Sequence, residues 1–160
     1  MTVIRLAEPA DVPRLRAALA SLAQTMGDPF EASEADLSRV LHGPAPLARA
    51  QLAEAGPGGL AGATLYTPIF STIRGAAGIY VSDLWTSAEA RGQGLGPRLL
   101  AAALADAAAV WGASFLKLQV YDDNPHARRF YDRLGFAEAL GHAEMVLERE
   151  ACAALVAAQA

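Results

Sequence analysis

Three alternating glycines, Gly92, Gly94 and Gly96, follow the strand-like run Asp83-Leu84-Trp85-Thr86 and precede a long amphipathic segment. Glycine reaches positive φ at little cost and lets backbone N–H groups come close to a ligand, so such a loop can converge several donors on one anion. A helix that starts at its end adds a positive dipole terminus. Arg91, Gly92, Gln93, Gly94, Leu95 and Gly96 therefore read as a phosphate cradle, set against a plain turn that collects glycine for local reasons. A Walker loop is excluded because Gly96 is followed by Pro97-Arg98, which leaves no lysine for the phosphates and no hydroxyl for Mg²⁺. The spacing G-x-G-x-G also departs from the dinucleotide fingerprint G-x-G-x-x-G, although Asp122, just beyond the next strand-like run, keeps a dinucleotide site in view.

Arg91, Gly94 and Gly96 fit the pattern R-x-x-G-x-G/A, which resembles the acyl-CoA loop of the GNAT N-acetyltransferase superfamily. Asn124, Ala127, Phe130, Tyr131, Gly135 and Phe136 fit N-x-x-A-x-x-F-Y-x-x-x-G-F, similar to the second signature of that superfamily, and the two patterns stand in the family's order. The resemblance implies acetyl-CoA as co-substrate and an α/β (α+β) fold: one mixed sheet of six to seven strands, about four helices, and a splay at the cofactor. It further implies that Leu84, Trp85 and Thr86 line the cofactor, the main chain of Leu84 and Thr86 pairing with pantetheine, and that Asn124 and Tyr131 lie near the same arm. Pro97 departs from the pattern by removing one N–H from the first helical turn.

Acetyl transfer from a thioester to an amine needs a neutral amine, a polarised carbonyl and a proton for the departing thiolate. The resemblance makes Tyr131 the general acid, and a tyrosine with an ordinary pKa of about 10 holds its proton at neutral pH. Phe130 and Leu134 form an apolar i, i+4 pair expected to face the core, which puts Tyr131 at the edge of that face. Asp83 lies in a mainly apolar strand, where an unpaired carboxylate is costly, so something must compensate it. A substrate amine would do so and make Asp83 a base or anchor; backbone donors at a bulge, or Arg74, would do so structurally.

A looser resemblance, carried by Ser33-Glu34-Ala35-Asp36-Leu37, Phe70 to Gly75 and Gly78 to Leu84, is to the diamine, polyamine and thialysine acetyltransferases. Those enzymes carry Glu-Asp where this chain has Ser82-Asp83, so the carboxylate that would steer water to the amine is missing. Asp28 and Glu31, with Glu34, could form an acidic mouth for a cationic amine or simply a solvated loop. The expected acceptor is a small primary amine, of diamine, polyamine or amino-acid type, attacking directly in a ternary complex. Protein lysine or N-terminal acetylation and non-catalytic acyl-CoA binding remain the alternatives.

With 160 residues, 53% of them hydrophobic and 19% charged, the chain is expected to form one domain, 1–160, with an ordinary core. A net charge of −4 speaks against a nucleic-acid partner. Cys152 is the only cysteine, which excludes an intrachain disulfide and suits a reducing cytoplasm. His42, His126 and His142 have no metal-ligand spacing, so no metal is expected. The start of the chain lacks the basic-then-apolar layout of a secretion signal, and the apolar run Leu99 to Ala105 is too short to span a bilayer, so neither export nor a membrane partner is expected. A homodimer is compatible with this reading.

The positioning elements follow from periodicity and punctuation. Thr2 to Ala7 reads as a strand, Pro9 and Pro13 introduce a helix through Leu22, and Gly27-Asp28-Pro29 ends it. Ser33-x-x-Asp36 starts a short helix to about Leu41. Leu47 to Glu54 and Leu60 to Thr67 flank a glycine-rich loop as a hairpin, Pro68 to Gly78 reads as irregular, and Ile79 to Thr86 is the strand that delivers the cradle. Leu95, Leu99, Ala103, Ala107 and Val110 form the buried stripe of a helix over Gly94 to Trp111, and Phe115 to Val120 is the next, parallel strand. Asn124-Pro125 starts a helix that Gly135 stops, Phe136 to Leu140 and Glu144 to Leu147 read as closing strands, and the tail from Glu150 as helical or frayed.

Overall fold

A computed structural model describes residues 2–158. The chain divides into two compact units, Met1–Tyr121 and Asp122–Ala160. The first contains a five-stranded sheet in the order β1 (Ile4–Leu6), β2 (Arg49–Glu54), β3 (Leu60–Ser71), β4 (Ala76–Thr86), β5 (Leu116–Lys117). Neighbours are antiparallel except the last pair, where β4 and β5 run parallel.

Three helices belong to this unit. A 3-10 turn at Pro9–Asp11 leads into α1 (Val12–Met26), which ends on the left-handed Gly27. The shorter α2 (Glu34–His42) opens with a complete capping box, Ser33 accepting from the Asp36 amide while the Asp36 carboxylate reaches back to Ser33, so aspartate serves here as well as glutamate. Leu15, Leu19, Leu37 and Leu41 from these two helices pack with Leu52 and Ala63 on one face of the sheet. On the opposite face α3 (Leu95–Trp111) buries Leu95, Leu99, Ala103 and Ala107, while Val110 is left half exposed. Gly62 is needed at that contact: a Cβ there would come within 2.8 Å of Leu99.

The stretch read as irregular, Pro68 to Gly78, instead lengthens β3 and β4 into one hairpin, with Phe70 opposite Ala77 and Ser71 opposite Ala76. Proline is tolerated in β3 because Pro68 lies beyond Tyr66, the last residue paired to β2, where the strand has a neighbour on one side only. Strand β5 is shorter than Phe115 to Val120, since only Leu116 and Lys117 find partners on β4.

The second unit holds α4 (Pro125–Arg133) and α5 (Arg149–Ala157). The two closing strands expected at Phe136 to Leu140 and Glu144 to Leu147 are not formed: 136–147 is irregular and turns at Leu140-Gly141. A strand needs a neighbour to take its alternate N–H and C=O groups, and in this unit the remaining order is helical, so the alternating pattern has nothing to pair with. Among the described residues the sheet therefore has five strands rather than six or seven, and the chain has five α-helices rather than about four. The expected apolar pair also changes: Leu134 is exposed, and Tyr131 sits between the rings of Phe130 and Phe136, at 4.9 and 5.2 Å.

Candidate active site

Strand β4 changes character along its length. Ile79 and Tyr80 pair with Leu116 and Lys117 on one side and with Pro68 and Thr67 on the other. From Val81 onward the β5 side is open, while β3 continues to pair as far as Thr86. The register slips between Leu65 and Tyr66, opposite Asp83 and Val81, so Ser82 is the extra residue of a bulge. Ser87 donates its N–H to the Ala61 carbonyl at 2.8 Å; by strand alternation Leu84 and Thr86 turn their main-chain N–H and C=O groups to the open edge. These are the two residues expected to offer main-chain partners, and Trp85 between them packs toward the α1 and α2 core.

The open edge runs directly into the glycine loop. Gly92 and Gly94 adopt φ of +76° and +72°, and nothing lies within 4 Å of where a Cβ would stand on either. Gly94 begins α3 from the left-handed region with no side-chain cap, and among the described residues the N–H groups of Gly92, Gly94, Leu95 and Gly96 make no hydrogen bond. Four amides beside a helix N-terminus suit a pyrophosphate, with Pro97 lacking the next donor. The Gln93 N–H donates to the Ala90 carbonyl at 3.4 Å, and its side chain donates back to the Glu89 carbonyl at 2.6 Å. Arg91 is exposed at the start of the loop. Gly112, left-handed at φ +67°, ends α3.

Asp83 is half-buried, on the face that also carries Leu65 and the α1 and α2 core. Its hydrogen-bond partner is Ser82, whose hydroxyl donates to Oδ2 at 2.7 Å. Burial holds the carboxyl above its ordinary pKa, and the Ser82 bond opposes this only in part. Arg74, the alternative partner, stacks instead on the Phe115 ring, 4.9 Å from its centroid.

On the same face Lys117 stands opposite Tyr80, and Gln119 accepts a hydrogen bond of 2.8 Å from the Tyr80 hydroxyl. The Tyr121 hydroxyl reaches the Asp28 carboxylate in the α1–α2 loop, at 3.0 Å from Oδ1 and 2.9 Å from Oδ2. Asp28 is thus held by a tyrosine, whereas Glu31 is exposed. Lys117, Gln119 and Tyr121 were not singled out from the sequence. Their spacing of two, continued past the end of the strand, was the available signal.

In the second unit Asn124 caps α4, its Oδ1 accepting from the Ala127 amide at 3.0 Å. Tyr131 is half-buried, and burial pushes its hydroxyl up to about 12, so it stays protonated across the working range. No group of three or more His, Cys, Asp or Glu residues able to hold a metal ion occurs among the described residues, and no described helix is long and apolar enough to cross a membrane. Cys152 is free and exposed.

The profile of the acetyltransferase (GNAT) family matches residues 17–136. A comparison with curated proteins gives no match. Among solved structures, an integron cassette protein from the mobile metagenome of V. cholerae shares 23% identity with a TM-score of 0.77, covering 97% of both chains. A ribosomal-protein-alanine N-acetyltransferase from Brucella melitensis biovar Abortus 2308 shares 23% identity over 93% of this chain and 100% of its own, with a TM-score of 0.71. An aminoglycoside acetyltransferase from an uncultured soil metagenomic sample, solved with sisomicin, shares 14% identity over 92% of this chain and 97% of its own, with a TM-score of 0.74. These likenesses concern the fold, while the family match covers most of the sequence, both signatures included. The chain belongs to the acetyltransferase (GNAT) family and is an N-acetyltransferase that uses acetyl-CoA.

Proposed function

We propose that the chain, acting as one domain over 1–160 in a reducing cytoplasm, acetylates a small primary amine in a ternary complex. The observation that carries this reading is Asp83: a half-buried carboxylate with one hydroxyl partner, placed at the bulge where the β4 edge opens toward the glycine loop. In this reading the amides of Gly92, Gly94, Leu95 and Gly96 receive the pyrophosphate and the main chain of Leu84 and Thr86 receives pantetheine, with Trp85, Arg91, Gln93, Asn124 and Tyr131 as further contacts. Asp83, alone or through a water, takes the proton from an ammonium acceptor. The amine nitrogen then bonds to the acetyl carbon, the carbon–sulfur bond breaks, Tyr131 gives its proton to the thiolate, and the nitrogen sheds its second proton to water, leaving a neutral amide and CoA while Asp83 releases its own proton to solvent. Water returns the proton to Tyr131. Asp28 and Glu31 contribute negative charge at the mouth.

Solved structures with this fold include enzymes named for unlike acceptors, a ribosomal-protein alanine and an aminoglycoside, so the fold alone leaves the acceptor open. A panel of diamines, polyamines, amino acids and peptides, scored by release of CoA thiol, tests the reading. Turnover of free small amines above peptides supports it; turnover of peptides alone, or none with any acceptor, removes it. In the same assay Tyr131→Phe keeps the ring packing and should lower kcat by roughly 10²–10⁴-fold, the usual scale for a lost general acid.

A further inference from the structure

The sheet face that bears Asp83 continues past Tyr80 to the tip of the β3–β4 hairpin, where its chemistry changes. Gly78 lacks a side chain on this face and the Phe115 ring fills the space, so close that a Cβ would come within 2.6 Å of it. Phe115, Ile69, Ile73 and Tyr80 wall a pocket of about 410 Å³, with Lys117 on its rim. Arg74 lies over the Phe115 ring, which brings a second cation to the same end. Neither Lys117 nor Arg74 forms an ion pair among the described residues. Ile73, at the hairpin tip, is 93% exposed. Tyr80 and Asp83 are three residues apart with one residue taken up by the bulge, a span of roughly 7–10 Å along the strand.

An acidic end would suit the second ammonium of a diamine. This end is apolar and positive, which disfavours an ammonium and suits a carboxylate carried on an apolar body. We propose that the pocket is the distal half of the acceptor site, and that the acceptor is a primary amine joined through a short apolar body to an anionic group, its amine at Asp83 and its anion at Lys117 and Arg74. This rests on the small-amine reading above and narrows it away from diamines and polyamines.

Three acceptors of equal length test it: ω-aminooctanoate, octylamine and the corresponding α,ω-diamine. The expected order of kcat/KM places ω-aminooctanoate about tenfold above octylamine, the scale of one charge-assisted contact, and the diamine last. Lys117 is exposed, so its variants should fold. Lys117→Gln should erase the advantage over octylamine, and Lys117→Glu should place the diamine above ω-aminooctanoate, both through KM with kcat kept. A parent enzyme that prefers the diamine, or variants that keep the parent's ranking, overturns the pocket and leaves the small-amine reading standing. Acetylation of peptides with none of the three amines reacting removes that reading and the pocket with it.

Discussion

Two carboxylates on opposite sides of the sheet have opposite surroundings. Asp106, on α3, accepts from Arg49 Nε at 2.6 Å, from Arg49 Nη2 at 2.7 Å and from the Tyr66 hydroxyl at 2.5 Å. Burial pushes its pKa up, yet these donors outweigh burial and hold it below the ordinary carboxylate range. Among the described residues Asp83 receives one hydroxyl and no cation, and burial leaves it raised. The first ties α3 to β2 and β3; the second has lone pairs to spare beside an open strand edge. A carboxylate saturated by its own chain is structural, and one left short of donors is available to a substrate.

The comparison breaks first at Asp83→Asn. Turnover should fall by roughly 10²–10⁴-fold, the range for a lost general base, with cofactor affinity near the parent's by calorimetry. Parent-like turnover would make Asp83 an ordinary bulge residue. Asp106→Asn should do the reverse, lowering stability in urea unfolding by about 2 kcal/mol through weakened charge-assisted bonds while kcat holds. A large loss of kcat in a folded Asp106→Asn enzyme would merge the two roles. Gly94→Val separates proton chemistry from cofactor binding: a β-branched residue at φ +72° is strained. Acetyl-CoA affinity should fall at least tenfold, roughly the loss of one or two amide contacts. Unchanged affinity in a folded variant would remove the loop from the site.

The smallest effect is the most diagnostic, because its sign differs between the two residues. Asp106 has a lowered native pKa, so its stabilisation is present above the unfolded value of about 3.9 and is lost as pH falls through the native value. Asp83 has a raised native pKa, so its contribution is present below about 3.9 and is lost as pH rises through the native value. Asp83→Asn should therefore be more stable than the parent at neutral pH and converge with it near pH 3, while the deficit of Asp106→Asn is largest at neutral pH and narrows in acid. Equal shifts at both pH values would show that the two carboxylates share one environment.

The glycine turn before α3 and the capping of α2 and α4 were legible because each rests on residues within one turn of each other, Gly92 with Gly94, Ser33 with Asp36 and Asn124 with Ala127, and the α3 stripe from Leu95 to Ala107 because it repeats at local helical spacing, Val110 excepted. What escaped depends on partners distant in sequence. Pro68 argues locally against a strand, and only the end of β2 at its partner Tyr66 makes it acceptable. The alternation in 136–147 argues locally for strands, and there the required neighbour is missing from the unit. Asp83 was legible as an anomaly, yet its relief by Ser82 rather than Arg74 depends on a bulge set by the pairing with β3. Tyr121 with Asp28, joined across 93 residues, had no local signature.

In the proposed reading that last bond sets a clock for the acceptor side. An exposed hydrogen bond is worth about 1 kcal/mol, a factor of roughly five, so this bond alone leaves its partners apart about one-sixth of the time. Loop motions of this kind run in nanoseconds to microseconds, several orders of magnitude faster than a typical turnover. Asp28 would therefore part from Tyr121 and rejoin it many times within one catalytic cycle. In the proposed reading an arriving amine meets the α1–α2 loop as an average of held and released forms, because opening on this timescale is too fast to limit turnover.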